Sequence, residues 1–290
     1  MDLPDIRLHE PRRIEEACAL LRKPRSRLLA GGTDLLVDLK QGRVTGIEHL
    51  ISIRRIPGLE IIEETEDGMR IGALVTPARA ASDPRVRRLY PALVDAIDSM
   101  AAAQVRNMAT ICGNIASAVP SSDLAPPLIA MNATARLYDG EAERSVKLVD
   151  YFQGPRKTVC GASEILTHLI IPYPRPRSGA SYQKFALRGA NALAVAGVAA
   201  ALMLGTDGVI EDASIVLGAV APVPAVARKT CAHLIGKTAS KALFAEAAKI
   251  AREEAKPITD IRGTIEYRRE LVEVLTKRAL GQALERAGGG

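Results

Sequence analysis

The sequence predicts an α+β fold divided into two domains, and three features carry that reading. An apolar run of strand length at Leu28–Ala30 breaks at Gly31-Gly32, and Leu35, Leu36 and Leu39 follow at helical spacing. Asp67-Gly68 and Asp207-Gly208 each lie between apolar or β-branched runs, as hairpin turns do. The run Pro172-Tyr173-Pro174-Arg175-Pro176-Arg177-Ser178-Gly179 can hold neither helix nor central strand, so it reads as a linker. A chain of 290 residues has room for two domains and a sizeable core.

Ile14, Cys18 and Leu21 recur at helical spacing before Pro24, which predicts a short amphipathic helix leading into the Leu28–Ala30 strand. A strand at His49–Ile53 completes a small α/β unit. After Pro57-Gly58, strands at Ile61-Ile62 and Met69–Val75 flank the first Asp-Gly turn, and Ala78–Met100 reads as helix interrupted at Asp83-Pro84 and Tyr90-Pro91. The small residues Ala101-Ala102-Ala103 lead to a second glycine loop, Thr110-Ile111-Cys112-Gly113-Asn114-Ile115. Beyond Pro126-Pro127 come a helix at Leu128–Ala133, a strand and turn at Ala135–Gly140, and a strand at Ile165–Ile171. Past the linker, Leu193–Leu204 and Val209–Leu217 form a hairpin, Leu243–Ala255 is an alanine-rich helix, and a long final helix has Tyr267, Leu271, Val274, Leu275 and Ala279 on its apolar face.

Composition removes several classes of function. Apolar and charged fractions of 48% and 25% are those of an ordinary globular protein, with no sign of disorder. No signal-peptide core and no membrane-spanning run is present, so a cytoplasmic protein is expected. Cys18, Cys112, Cys160 and Cys231 are far apart, which argues against a zinc or iron–sulfur site built by this chain alone. The net charge of +6 is modest, and with aromatics at 3% there are few rings to stack bases, so nucleic-acid binding is not expected. The basic groups Arg22, Lys23, Arg25 and Arg27, then Arg85, Arg87 and Arg88, and Arg268 and Arg269, suit solvated faces or acidic protein partners.

Gly31-Gly32 at a strand-to-helix junction can bring bare N–H groups against an anion, as phosphate sites do. An ordinary turn capped by Thr33 or Asp34 explains a single such junction equally well. The second loop, followed by Pro120 and Asp123, shifts the balance, because two glycine loops can grip one pyrophosphate from opposite sides.

The two loops, their spacing, and the segment Asp260-Ile261-Arg262-Gly263-Thr264-Ile265-Glu266-Tyr267-Arg268-Arg269 resemble the FAD-binding medium subunit of the molybdenum hydroxylases, over about residues 5 to 282. The resemblance implies a FAD-binding domain of the vanillyl-alcohol-oxidase (PCMH) type at 1–175, with subdomains of about 1–54 and 55–175. A C-terminal domain of the CO dehydrogenase flavoprotein type follows at 176–290. It implies that Leu28, Leu29, Ala30, Gly31, Gly32, Thr33, Asp34 and Leu35 wrap the FAD pyrophosphate, joined by Thr110, Ile111, Cys112, Gly113 and Asn114. Asp123 matches an aspartate that accepts hydrogen bonds from FAD hydroxyls, Met100 and Ala101 line the pocket, and Leu166 and Lys184 match positions near the flavin ring. The first loop has no His for a covalent link, so dissociable FAD is expected. A molybdenum cofactor and 2Fe-2S clusters are expected on large and small partner subunits, in a dimer of heterotrimers. Cys112 departs from the usual Gly, which is costly if the position needs a positive φ. The cysteine-bearing insert of the benzoyl-CoA reductase branch is missing.

Gly236-Lys237-Thr238 resembles the tail of a P-loop without its first glycine and reads as a loop. No Rossmann fingerprint is present. His9, His49, His168 and His233 read as isolated, and Asp95 and Asp98 as solvent-facing. Two rivals to an electron-transfer subunit are a self-contained flavin oxidase, which needs an acid or base over the ring, and a non-catalytic nucleotide-binding module.

Overall fold

A computed structural model describes residues 5–189 and 191–288. Strand β1 (Arg7–His9), helix α1 (Ile14–Leu21), β2 (Ser26–Leu29), α2 (Leu35–Lys40) and β3 (His49–Ser52) form the first unit, a three-stranded parallel sheet in the order β1-β3-β2. Leu39 and Leu50 close a small core beneath α2 with Ile47.

The next unit is built on five antiparallel strands: β4 (Ile62–Thr65), β5 (Gly68–Gly72), β6 (Thr134–Tyr138), β7 (Glu143–Lys147) and, after a small hairpin of β8 (Phe152–Gly154) and β9 (Lys157–Thr158), β10 (Ile165–Ile171). Their order is β4-β5-β10-β6-β7, and β10 at the centre is buried along its whole length. The helices α3 (Pro77–Ser82), α4 (Pro84–Leu89) and α5 (Pro91–Ser99) each begin on a proline, whose missing N–H costs nothing in a first turn. Asp83 ends α3 and caps α4 by accepting from Arg85 N at 2.9 Å, so one residue serves both boundaries. Short helices α6 (Ala103–Met108), α7 (Ile111–Ser117) and α8 (Ala125–Ala130) complete this part.

The C-terminal unit is an antiparallel sheet of β11 (Ser178–Phe185), β12 (Ala196–Leu204), β13 (Ile210–Gly218) and β14 (Ala225–Val226), in that order, with helices α9 (Arg228–Leu234), α10 (Lys241–Glu254) and α11 (Ile265–Gly288). Alternation sorts its two faces. Ala196, Val198, Ala200 and Leu202 of β12 pack into the core with α10 and α11, whereas Ala199 and, from β13, Val216 join the core of the preceding unit. Gly179 has α11 against it, where a Cβ would lie 2.2 Å from Ala283 O, and at Gly218 a Cβ would lie 2.7 Å from Pro126 of α8. The sheet is therefore clamped between helices on both sides.

Four expectations need correction. Ser178 and Gly179, read as linker, already belong to β11, which was not anticipated because it starts in the proline-rich run and carries polar side chains. On α11, Tyr267 and Val274 are exposed, and the buried face is Val272, Leu275, Thr276, Ala279, Leu280 and Ala283. Arg268 is not a surface cation: it is buried and donates to Val195 O, Ala219 O and Asp260 Oδ1 at 3.1, 3.0 and 2.6 Å. Asp95 is half-buried rather than solvent-facing and forms a two-pronged pair with Arg286 at 2.6 and 2.9 Å, tying α5 to α11.

Candidate functional site

The first turn follows β2 and opens α2. Gly32 has φ +77°, a conformation that side chains resist. At Gly31 a Cβ would lie 2.4 Å from Met108 O and 2.8 Å from Ala109 Cα, so this turn packs backbone to backbone against the connection between α6 and α7. Arg54 draws the carbonyls of Ala30 and Gly31 to itself at 3.1 and 3.4 Å. The N–H groups of Gly31, Gly32, Thr33 and Asp34 have no hydrogen-bond partner among the described residues. Four bare donors in succession suit an anion.

The second glycine stretch is not a loop but the first two turns of α7. Thr110 caps it, its Oγ1 accepting from Gly113 N at 3.0 Å, and a Cβ on Gly113 would lie 2.6 Å from that oxygen. The glycine therefore serves a cap rather than a left-handed turn. Ile111 and Cys112 point into the core, and Cys112 has no positive φ, so cysteine in place of the usual glycine brings no backbone strain. Burial pushes the Cys112 thiol up to about 12, which leaves it protonated and unreactive. Ala101 does adopt a left-handed conformation, φ +44°, at the entrance to α6, and Arg106 holds it by donating to Met100 O and Ala101 O at 2.8 and 3.3 Å.

Between the two turns lies a cleft of about 590 Å³. Its wall includes Leu28 through Leu35, Met100, Ala101, Thr110, Gly113, Asn114 and Asp123. Four expected residues stand elsewhere. Ile111 is core. Cys112 and Leu166 line an adjoining cavity of about 310 Å³, which shares Leu28, Ala30 and Gly113 with the cleft. Lys184 sits behind Asp123, its side chain 5% exposed, and donates to Asp123 Oδ2 at 2.7 Å and to Ser99 O and Ala192 O at 3.0 Å. Its charge is thus compensated before it reaches the cleft, and Leu166 and Lys184 do not share one wall. Burial raises the Asp123 carboxyl, while Lys184 and a hydroxyl donated by Tyr182 pull it back.

Arg27, Asp38, Arg156 and the 191–193 segment also line the cleft. Arg156 pairs with Asp38 at 2.7 Å from a turn at φ +57°, and Gln153-Gly154-Pro155 between Phe152 and Thr158 was the available sign of that hairpin. Free amides, two helix starts and two arginines suit a diphosphate, and Leu28, Leu29, Met100 and Leu193 give apolar surface for rings.

The fold and the cleft define a chain whose glycine turn and facing helix start suit a diphosphate-bearing cofactor. Residues 4–174 match the FAD binding domain in molybdopterin dehydrogenase, and residues 180–283 match the CO dehydrogenase flavoprotein C-terminal domain. The chain is 34% identical to the glyceraldehyde dehydrogenase medium chain of Sulfolobus acidocaldarius over 92% of this chain and 94% of that one. It is 33% identical to the carbon monoxide dehydrogenase medium chain of Hydrogenophaga pseudoflava over 98% of each. The solved structure of the Hydrogenophaga pseudoflava carbon monoxide dehydrogenase that lacks the Mo-pyranopterin moiety of its cofactor has a TM-score of 0.93, with 33% identity and 99% of both chains covered. Quinoline 2-oxidoreductase from Pseudomonas putida 86 has a TM-score of 0.92, with 28% identity and again 99% of both chains. The chain belongs to the family of FAD-binding medium subunits of the molybdenum hydroxylases. It is an oxidoreductase flavoprotein subunit with FAD as its cofactor.

Proposed function

We propose that this chain takes electrons from 2Fe-2S clusters on a small partner subunit, which are reduced by substrate turnover at a molybdenum cofactor on a large partner, and passes them to an external acceptor. FAD suits that task because it accepts electrons singly and can release them in pairs. The observation that carries the reading is the state of the carboxylates on the cleft wall. Asp34 accepts from Ser117 Oγ at 2.8 Å, Asp38 pairs with Arg43 and Arg156, and Asp123 pairs with Lys184. Among the described residues no histidine lines the cleft. An oxidase acting alone needs an acid or base free to exchange a proton with substrate; Asp38 and Asp123 are held in ion pairs, and the exposed Asp34 stands at the glycine turn. The chain's own part is to bind, to orient and to exclude water.

Within this reading, residues 28–35, Thr110, Gly113 and Asn114 hold dissociable FAD at its diphosphate, and Met100 and Ala101 flank the rings. The division at 175/176 separates the FAD domain from the C-terminal domain. Assembly as a dimer of heterotrimers in the cytoplasm completes the proposal. The name "medium chain" borne by the relatives and the absence of any membrane-crossing helix among the described residues support it. Purification of the chain alone tests it: bound FAD is expected, with no substrate oxidised until both partner subunits are added. Turnover by the isolated chain would favour the self-contained oxidase.

A further inference from the structure

Helix α5 and strand β11 meet in a register that their two periodicities allow. Residues 95 and 99 are four apart on the helix, about 6 Å of rise, and residues 182 and 184 are two apart on the strand, about 7 Å. Asp95 Oδ2 accepts from Tyr182 N at 3.2 Å, and Ser99 O accepts from Lys184 Nζ at 3.0 Å. Alternate residues of a strand share a face, so Tyr182 and Lys184 project together. Each donates to one oxygen of Asp123: the phenol to Oδ1 at 3.0 Å, the ammonium to Oδ2 at 2.7 Å.

The trio is closed to water. Tyr182 is 4% and Asp123 7% exposed. Lys184 pairs with Gly197 across the ladder, and a Cβ at Gly197 would lie 2.4 Å from the phenol oxygen, so this glycine makes room for the hydroxyl. Burial, reinforced by Asp123, holds the phenol far above its ordinary range, so it remains a donor at any physiological pH. Of the three residues only Asp123 reaches the cleft wall.

We propose that Tyr182 is a positioning residue of the FAD site: with Lys184 it fixes the Asp123 carboxylate as half of a neutral pair and leaves a lone pair on each oxygen to accept from FAD hydroxyls. This rests on the FAD reading of the cleft. Two consequences separate it from a merely structural role. Tyr182 acts only through Asp123, so its removal matters less once that carboxylate is neutralised. Neutralising Asp123 uncovers the Lys184 charge beside the cofactor, which raises the potential of bound flavin by favouring its electron-rich form.

The test uses the full chain and four forms: wild type, Tyr182→Phe, Asp123→Asn and the double variant. FAD dissociation constants, flavin midpoint potentials and melting temperatures are measured for each. Tyr182→Phe is expected to weaken FAD about tenfold, the worth of one well-placed hydrogen bond. Asp123→Asn is expected to raise the midpoint potential, and adding Tyr182→Phe to it should weaken FAD by less than Tyr182→Phe does in the wild-type background. If Tyr182→Phe melts far below wild type, Asp123→Asn carries the test through its potential, and an unchanged potential overturns the proposal. Wild-type affinity in Tyr182→Phe, or an undiminished effect of Tyr182→Phe in the Asp123→Asn background, overturns it as well. A wild-type chain that takes up no FAD overturns the cleft reading together with this inference.

Discussion

A side chain at position 31 has no space to enter, because the first turn touches the α6–α7 connection backbone to backbone. Gly31→Ala must therefore push the two halves of the cleft apart, and FAD affinity is expected to fall at least about tenfold, as read by flavin fluorescence titration. His168 supplies a pH prediction. Burial, helped by Arg70 and Arg136 and opposed by Glu63, lowers its imidazole from 6.5 to about 4. Below pH 6.5 the unfolded chain takes up a proton that the folded chain refuses. Stability that is complete above that pH is lost as pH falls toward 4, by on the order of 2–3 kcal/mol. Thermal melts between those pH values should show His168→Gln falling less steeply than wild type. Residue pairings were the least legible feature of the sequence. His9 and His49, forty positions apart and read as isolated, lie 3.1 Å apart because β1 and β3 pair in parallel, and His233 reaches Glu246 at 3.2 Å.

Elements were legible where local chemistry marked them. The prolines at 77, 84 and 91 fix three helix starts, and Asp67-Gly68 closes the β4–β5 hairpin through Thr65 and Gly68. Helix α7 reads as a loop in the sequence because Gly113 and Asn114 are poor helix formers, and its capping hydroxyl counts only once the backbone has turned. Thr110→Val keeps the side-chain volume and removes the cap. A stability loss of about 1 kcal/mol in denaturant melts is expected, with weaker FAD retention. Strands β7 and β9 were missed for a different reason: they are short and largely exposed, so they carry no apolar alternation.

At the scale of the whole molecule, the arginines read as a partner-facing cluster divide. Arg85 is committed to Asp83 and Ile62 O, and Arg87 to Ala81 O, while Arg88 is exposed beside a second cleft of about 520 Å³ between the FAD-binding and C-terminal units. Neutralising Arg85 is thus expected to lower stability rather than to loosen assembly. The tie between α5 and α11 is a long-range feature that composition and periodicity could not show. A double-mutant cycle on Asp95 and Arg286 should return a coupling of about 1 kcal/mol, given that both groups are partly exposed. The two sides of the cleft were legible from their glycines, Gly32 in a left-handed turn and Gly113 in a capped helix start. That they face one another depends on the packing of Gly31 on Met108 and Ala109. Flavin content per chain, measured by visible absorbance after purification of wild type, Gly32→Val and Gly113→Val, tests this most directly. One FAD per wild-type chain and little or none in either variant are predicted; full flavin occupancy in both variants would contradict the account.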